Sequence, residues 1–208
     1  MSASNAVLLV FAKAPVSGEV NTRLIPAIGV QAATRLQHDL IVHRMQQFAA
    51  ETHFDTQLYC APDTQHPLFR YCRQHYGVSL YRQTGENLGQ RMAAALHQAL
   101  QTYRYAVLIG TDAPAVGART VVQALQALAQ TDVVIQPAQD GGYVLIAMAA
   151  HHAGVFENIA WGSDQVLAQT RARIAAAGLR AFELPEAWDI DTAQDYRRYQ
   201  RYRRQVLS

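Results

Sequence analysis

The segment from Lys13 to Arg23 combines two cations with a loop that contains proline and glycine, directly after a short apolar run. Lys13 is the only lysine in the chain. Its compact ammonium group suits phosphate oxygens. With Gly18 in the loop and Arg23 at its end, the segment predicts a clamp for a di- or triphosphate. A solvated lysine at a strand end is the alternative, and the P-loop pattern G-x-x-x-x-G-K-[ST] is absent.

Acidic residues stand at the ends of two later segments. Asp112 follows the apolar run 106–110 after one residue, Thr111, and precedes Ala-Pro. A carboxylate on such a stiff turn can bind Mg²⁺ or Mn²⁺, which prefer oxygen ligands, although a turn aspartate that bonds its own backbone has the same pattern. Asp189 and Asp191 form a D-x-D motif before a helix. There, metal binding and capping of the helix by Asp191 or Thr192 are both compatible with the sequence.

The Asp140-Gly141-Gly142 motif is the fourth candidate. Both glycines allow positive φ, so a tight turn accounts for them. A glycine pair also lets a ligand approach the backbone, and Asp140 beside it would accept a hydroxyl hydrogen bond. Spacing alone does not decide between a plain turn and a substrate contact.

Strands and helices that alternate along the chain would position these residues. Apolar runs predict strands, and helical periodicity with stop signals predicts helices. The predicted strands are 7–12, 56–60, 78–81, 106–110, 133–136, 143–148 and 179–184; the predicted helices are 29–50, 68–75, 88–101, 120–129, 164–177 and one that starts near Thr192. Ser163 is predicted to cap the fifth helix and Gly178 to end it.

This order predicts an α/β fold with three layers, in which helices cover both faces of a mostly parallel sheet. The glycine pair near residue 141 indicates that one strand enters antiparallel. Ligands of open α/β sheets bind outside the carboxyl ends of the strands. The four candidate segments are therefore predicted to share one rim.

Composition limits the classes of protein that this chain can represent. Its 208 residues fit one domain over 1–208, half of them are apolar, and the net charge of +2 does not indicate a polyanionic partner. No apolar stretch reaches the ~20 residues of a membrane span, and the run near the N-terminus is interpreted as a strand rather than a signal peptide. Cys60 and Cys72 match no disulfide or metal framework, so we predict reduced thiols and a cytoplasmic location.

Arginines cluster near the end of the chain, where Tyr196, Tyr199 and Tyr202 alternate with them. On a helix this spacing forms a tyrosine stripe. We predict a helix docked by its tyrosines with a solvated basic face. Nucleic-acid contact is the less favoured alternative, and the sequence does not fix the oligomeric state.

Six ordered motifs resemble a bacterial family known as DUF2064, whose members are often described as glycosyltransferases of the GT-A superfamily. The motifs are FAKAPVSGEVNTRL, TGENLGQRM, VLIGTDAP, PAQDGGYVLIAM, FENIAWGSDQVL and DIDTAQD. The resemblance covers nearly the whole chain and implies a GT-A, Rossmann-like nucleotide-diphospho-sugar transferase fold. That superfamily contains both glycosyltransferases and nucleotidyltransferases.

The resemblance also implies roles for individual residues. Lys13, Gly18 and Arg23 would contact phosphates, and the stretch that carries Gly85, Asn87 and Arg91 would line the nucleotide pocket. Asp112 would hold Mg²⁺ or Mn²⁺, with Asp191 as a second acidic group near the metal. Asp140 would act at the acceptor as a catalytic group, near Gly141, Gly142 and Trp161.

The chain departs from the family pattern at two charged positions. The family usually has lysine where Asn21 stands and aspartate where Asn87 stands, and proline is common at Ser17. Loss of a cation from the phosphate segment would weaken stabilisation of a leaving diphosphate. This chain would then use a different donor from other members of the family, or its activity would be reduced.

Three functions are compatible with these residues. The first is a metal-dependent glycosyltransferase that moves a sugar from a nucleoside diphosphate-sugar to a small acceptor. The second is a nucleotidyltransferase that joins an NTP to a phosphorylated or carboxylated acceptor and releases pyrophosphate. The third is a non-catalytic nucleotide-binding domain.

Overall fold

A seven-stranded mixed sheet organises the computed structural model, which describes residues 4–206. The strands are β1 (Ala6–Lys13), β2 (Asp55–Ala61), β3 (Ser79–Arg82), β4 (Tyr105–Gly110), β5 (Val133–Pro137), β6 (Tyr143–Met148) and β7 (Ala181–Glu183). Their order is β3-β2-β1-β4-β6-β5-β7. Strand β6 is antiparallel to β4 and β5, whereas the other neighbouring pairs are parallel. The prediction of a mostly parallel sheet with one antiparallel strand is confirmed.

Seven α-helices lie between and after the strands within the described residues. They are α1 (Ile25–Ile28), α2 (Val30–Phe48), α3 (Pro67–Tyr76), α4 (Leu88–Leu100), α5 (Ala118–Ala127), α6 (Val166–Ala176) and α7 (Ala193–Val206). Short 3-10 turns occupy Thr22–Leu24 and Ala153–Phe156. We interpreted the N-terminal segment as a strand rather than a signal peptide. Its residues 1–3 lie outside the described residues. Among residues 4–206, no helix combines the length and apolar character needed to cross a membrane.

The start of α6 differs from its prediction. Ser163 was predicted to cap a helix from Asp164, but the helix begins at Val166. The Ser163 hydroxyl instead donates to the Ala160 carbonyl at 2.8 Å and accepts a bond from the Gln165 N–H at 3.3 Å. These bonds close a turn before the helix, because serine satisfies turn backbone as readily as helix backbone. The predicted stop at Gly178 is confirmed, with φ of 68° just after the helix.

Two apolar clusters cover the two faces of the sheet. Successive residues of β1 alternate between them, with Leu8 and Val10 in one cluster and Val7 and Leu9 in the other. Helices α2, α3 and α5 contribute to the first cluster, and α4 and α6 to the second. The chain therefore forms the predicted three-layer α/β/α arrangement, and Cys60 and Cys72 are free and buried within the first cluster.

The direction of β6 brings several loops to one edge of the sheet. Leu145, near the start of β6, pairs with Ile109, near the end of β4. Strand β5 ends at the same edge, where the Ala187 N–H donates to the Pro137 carbonyl at 2.9 Å. The Ile190 N–H then donates to the Asp112 carbonyl at 3.0 Å. The loops after β1, β4, β5 and β7 thus lie on one rim.

Helix α7 docks through its tyrosines, as predicted. Tyr199 is 5% exposed, and it packs in a third apolar cluster with Leu40 of α2, Trp188 and Ile190. The start of α7 is a capping box: Thr192 Oγ1 accepts from the Asp195 N–H at 3.3 Å, and an Asp195 carboxylate oxygen accepts from the Thr192 N–H at 2.8 Å. The cap is therefore Thr192, and Asp191 is not used for capping.

We expect Tyr199→Ala to lower the free energy of unfolding by about 2–3 kcal/mol, because a buried ring leaves the cluster that holds Ile190 beside the rim. Tyr71→Ala is the matched control, since Tyr71 is 45% exposed. We expect it to cost less than about 1 kcal/mol. Urea denaturation of both variants measures the difference, and equal losses would contradict the docking role of Tyr199.

Candidate functional site

A cleft with three connected parts opens on the rim. Its central part, of about 360 Å³, runs from Lys13 to Asp112 and the start of β6. On the β2–β3 side it adjoins a hollow of about 570 Å³ that shares Lys13, Glu19 and Gln83 with it. On the β5–β6 side it adjoins a hollow of about 290 Å³ that shares Leu88, Met92, Tyr143 and Asp189. We call these parts the central cleft, the cationic chamber and the acidic chamber.

The cationic chamber carries Lys13, Arg82 and Arg91 against a single acidic residue, Glu19. Lys13 Nζ donates to the Glu19 carbonyl at 2.7 Å and so bridges its own loop. Each of the two arginines donates through Nε to a backbone carbonyl at 3.0 Å, Arg82 to Pro62 and Arg91 to Gly85. These bonds use one N–H of each guanidinium, and a guanidinium has five. The chamber therefore has the charge and the free donors to bind phosphate groups.

Sequence reasoning missed Arg82. It is the last residue of β3, so the rule that ligands lie beyond the carboxyl ends of strands applies to it as well as to Asp112. The sequence signal for this strand is weak, because β3 has four residues with no fully buried side chain among them.

Asp112 lines the central cleft, where the charges of the Asp191 and Asp140 carboxylates act on it. Its side chain folds back over Gly110, where Oδ1 occupies the space that a Cβ atom would need. Protein surrounds the carboxylate on its loop side, yet it stays open to solvent through the cleft. Burial raises the pKa of Asp112; Arg44 lowers it, and the carboxylates of Asp191 and Asp140 raise it further.

Asp189 extends this group of carboxylates. Burial, followed by the charges of Asp112 and Asp140, raises its pKa to about 7. Within residues 4–206, however, no three carboxylate, histidine or cysteine side chains are close enough to form a complete metal site. Mg²⁺ typically binds one or two protein carboxylates and completes its shell with water and substrate phosphates. The oxygen donors and the uncompensated negative charge fit such an ion.

Arg23 and Asp191 face each other at the edge of the acidic chamber. Arg23 Nη1 donates to Asp191 Oδ2 at 2.5 Å, and this bond raises the pKa of the arginine. Both partners are exposed, with side-chain exposures of 67% and 36%. Such a pair contributes little to stability and can exchange partners. The predicted roles of Arg23 at phosphate and of Asp191 near a metal stay predictions.

The Gly141-Gly142 turn packs against protein on its Gly141 side. Gly141 has φ of 88°, and the space of its missing Cβ is filled by the Asp164 carbonyl. Asp140 Oδ1 accepts from the Gly142 N–H at 2.9 Å and closes the turn. The packing of residues 160–165 thus explains why residue 141 is a glycine. Gly142 and the exposed Asp140, by contrast, line the acidic chamber.

Trp161 also lines the acidic chamber, and its orientation is fixed. Its indole covers Gly89, where a Cβ atom would lie 2.5 Å from the ring. Its ring stands nearly perpendicular to that of Tyr143, with centroids 6.4 Å apart and an interplanar angle of 80°. The structure therefore brings Trp161 and Asp140 to one hollow, and their place near the acceptor stays a prediction.

The comparisons with known proteins agree with this geometry. The family described as an uncharacterized protein conserved in bacteria, DUF2064, matches residues 44–163. A solved structure from Desulfovibrio desulfuricans G20, of a protein assigned as a nucleotide-diphospho-sugar transferase, superposes with a TM-score of 0.88 at 30% identity. The match covers 98% of this chain and 89% of that one. The chain belongs to the DUF2064 family.

More distant structures share the fold alone. A CMP:2-keto-3-deoxy-manno-octonic acid synthetase complexed with CTP has a TM-score of 0.61 at 14% identity, over 97% of this chain and 99% of that one. A 4-diphosphocytidyl-2C-methyl-D-erythritol synthase from Anaerococcus prevotii DSM 20548 has a TM-score of 0.61 at 11% identity, over 95% and 96%. A comparison with curated proteins gave no match. The predicted nucleotide-diphospho-sugar transferase fold is confirmed.

One departure from the DUF2064 pattern, Asn21, has a local structural role. Its backbone is left-handed, with φ of 48° and ψ of 40°. Asparagine adopts this region more readily than lysine does. The Asn21 side-chain amide donates to the Ala33 carbonyl of α2 at 3.0 Å, and Gln37 of α2 donates to the Lys13 carbonyl at 3.0 Å. Asn21 therefore shapes the segment that carries Lys13, while Gly18 (φ 80°) supplies its exposed turn.

The second departure, Asn87, is the N-cap of α4. Its side-chain oxygen accepts from the Gln90 N–H at 3.0 Å. Aspartate and asparagine are about equally good caps. The loop before the cap folds tightly, since a Cβ atom on Gly85 would lie 2.8 Å from the Arg91 nitrogen. The asparagine therefore preserves the local structure of this DUF2064 motif and removes only the charge.

We expect Asn87→Ala to lower the free energy of unfolding by about 1 kcal/mol through loss of the cap. Asn87→Asp keeps the cap and adds a negative charge at a helix N-terminus, so it should match or slightly exceed the stability of the natural protein. Guanidinium denaturation of the two variants measures both effects. A destabilised Asn87→Asp variant would contradict the capping role.

Arg44 is a second residue that sequence reasoning missed. It belongs to α2 and is completely buried. Its guanidinium donates to the Val116 carbonyl at 2.7 Å and to the Ala113 carbonyl, on the loop that carries Asp112. Burial lowers its pKa to about 10, an effect that Asp112 partly offsets. The sequence shows only that a charged residue stands on an otherwise apolar helix face. It does not show the partners of the arginine, because they are backbone atoms distant in the chain.

Proposed function

We propose that this DUF2064 protein is a metal-dependent glycosyltransferase of the GT-A type, which transfers a sugar from a nucleoside diphosphate-sugar to a small acceptor. The relative at 30% identity supports a transferase of the nucleotide-sugar kind. One observation of the site carries the proposal. A chamber with three cations and a group of carboxylates border the same cleft, and the proposed donor uses both environments, the cations for its phosphates and the carboxylates for the metal.

In this proposal the diphosphate of the donor lies between Lys13 and Arg82, with Arg91 beside the nucleotide. The loop at Gly18 and the α4 start at Asn87 would border it. Fixed cations and backbone donors stabilise negative charge that develops on a leaving diphosphate. The donor sugar would then point past Asp112 toward the acidic chamber.

Asp112 and, as a second acidic group, Asp191 would hold a Mg²⁺ or Mn²⁺ ion together with the phosphates. When bound there, such an ion neutralises charge on the diphosphate. For Asp191 to take this role, Arg23 must leave it and turn toward phosphate. Their exposed ion pair permits that exchange at small cost.

Asp140 would orient the acceptor hydroxyl and accept its proton. The acceptor oxygen then forms a bond with the anomeric carbon, and the bond from that carbon to the phosphate oxygen breaks. The nucleoside diphosphate leaves with the electron pair of the broken bond. A carboxylate needs only hydrogen-bond distance to the acceptor for this role, and Asp140 is exposed at the turn that lines the acidic chamber.

A thermal-shift panel of NTPs, NDPs and NDP-sugars, each with Mn²⁺, Mg²⁺ or EDTA, tests the proposal. We expect one NDP-sugar to stabilise the fold by about 2.7 kcal/mol at 100 times its dissociation constant, and EDTA to remove most of the shift. Preference for one NTP, with pyrophosphate release, would favour a nucleotidyltransferase. A shift by nucleotide that does not depend on metal, without turnover, would favour a non-catalytic nucleotide-binding domain, and absence of any shift would contradict the proposal.

A further inference from the structure

We propose that the acidic chamber binds a neutral polyhydroxyl acceptor, such as a sugar ring, and discriminates against phosphorylated or carboxylated ones. This inference rests on the proposed glycosyltransferase and specifies its acceptor class. It also opposes the anionic acceptor that a nucleotidyltransferase would use.

The charge of the chamber is the first argument. The exposed carboxylates of Asp140 and Asp164 line it, and Arg23 is the one cation among its lining residues in the described chain. That arginine is bonded to Asp191 at 2.5 Å here, and in the proposed function it turns to the donor phosphate, so in either state its charge is paired with another anion. An incoming phosphate or carboxylate would therefore meet uncompensated negative charge, whereas the cationic chamber on the other side of the cleft favours anions.

The hydrogen-bonding capacity of the chamber is the second argument. Ionised carboxylates only accept hydrogen bonds, so they match the O–H donors of a polyol. Asp140 Oδ1 is held by the Gly142 N–H at 2.9 Å, which fixes the carboxylate relative to the chamber. Neutral hydroxyl groups can satisfy such acceptors without adding charge.

The apolar wall of the chamber is the third argument. Trp161 is fixed by Gly89 and Tyr143, and Leu88 lies at the boundary with the central cleft although it is 46% exposed. A sugar ring presents C–H groups on its faces and hydroxyls on its edge. The wall and the carboxylates together suit that combination, as binding sites generally pair an apolar lining with a few oriented polar groups.

Fluorine NMR of protein labelled with 5-fluorotryptophan tests the inference through the Trp161 wall of the chamber. The chain has two tryptophans, and Trp161→Phe assigns the signals. Matched sets of glucose, galactose and mannose, each as methyl glycoside, 6-phosphate and uronate, are titrated in the presence of saturating NDP. We expect at least one neutral glycoside to shift the Trp161 signal and its anionic counterparts to bind about tenfold more weakly.

Charge-neutralised variants provide the internal control. Asp140→Asn and Asp164→Asn should each strengthen binding of the 6-phosphates relative to the neutral glycosides. Glu157→Gln, which neutralises an exposed carboxylate outside the lining, should leave the ratio unchanged. A ratio that responds equally to all three variants would overturn the charge argument.

Three further outcomes would overturn the assignment. A 6-phosphate that binds as tightly as its neutral counterpart, or no Trp161 shift with any compound, contradicts a neutral acceptor chamber. Competition between the glycoside and an NDP-sugar, but not NDP, would assign the chamber to the donor's sugar instead. The thermal-shift panel is read separately, so donor binding there would leave the proposed function standing when this inference fails.

Discussion

Truncation of Arg44 to alanine is expected to lower the free energy of unfolding by about 3–5 kcal/mol. The buried guanidinium satisfies the carbonyls of Ala113 and Val116 and the side-chain oxygen of Gln47. Each acceptor left buried without a donor costs about 1–3 kcal/mol. Loss of the side-chain volume adds a cavity term, and relief of the desolvation of the charge opposes both.

Two replacements separate these contributions. Arg44→Met keeps much of the volume and removes the charge. The change in its free energy of unfolding is therefore the loss of the hydrogen bonds, offset by the relief of the desolvation cost. Arg44→Lys keeps the charge but cannot bond both carbonyls through a planar fork, and we expect an intermediate loss. Urea denaturation at pH 7 measures all three variants. Natural stability in Arg44→Met would show that the hydrogen bonds to the loop contribute nothing net.

The second large effect is expected from Asp112→Asn. If Asp112 holds the metal and the diphosphate beside it, the amide should abolish the metal-dependent part of the thermal shift by NDP-sugar. It should also reduce turnover about 10²–10³-fold once an acceptor is known, as loss of one electrostatic contact typically does. Asparagine fits the volume of the turn and removes a carboxylate whose pKa burial raises, so the fold should be retained.

Glu157→Gln is the matched control, because it neutralises an exposed carboxylate outside the cleft. Its shift by NDP-sugar and metal should equal that of the natural protein. A metal-dependent shift of natural size in Asp112→Asn would remove Asp112 from the metal site. The carboxylates of Asp189 and Asp191 would then be the next candidates.

The rim could be predicted from the sequence because its determinants are local. Buried strands read as apolar runs, and their ends place Lys13 and Asp112 without knowledge of tertiary contacts. The glycine pair likewise marks the reversal that makes β6 antiparallel. Those signals predict the order of the strands along the chain and one antiparallel strand, and hence that the four segments share one edge of the sheet.

Contacts between distant segments could not be predicted in the same way. The Arg23–Asp191 pair joins residues 168 positions apart, and Arg44 bonds backbone 69 and 72 positions away. Residue 141 is a glycine because the Asp164 carbonyl fills the space of a Cβ atom, and a turn pattern does not reveal that contact. Ser163 shows the same limit at short range, since serine bonds turn and helix backbone with similar ease.

The antiparallel pairing of β4 with β6 divides the sheet into two blocks. Strands β3, β2, β1 and β4 form one block, which is parallel. Strands β6, β5 and β7 form the other, in which β6 is antiparallel to β5; in the described sheet, only β4–β6 pairing joins the two blocks. Lys13 and Asp112 belong to the first block, whereas Asp140 and Asp189 follow strands of the second. A substrate bound across the cleft is therefore held by both blocks and opposes their separation. Its binding should slow amide-hydrogen exchange at the seam from Val107 to Ile109 and leave exchange at the β2–β3 edge unchanged.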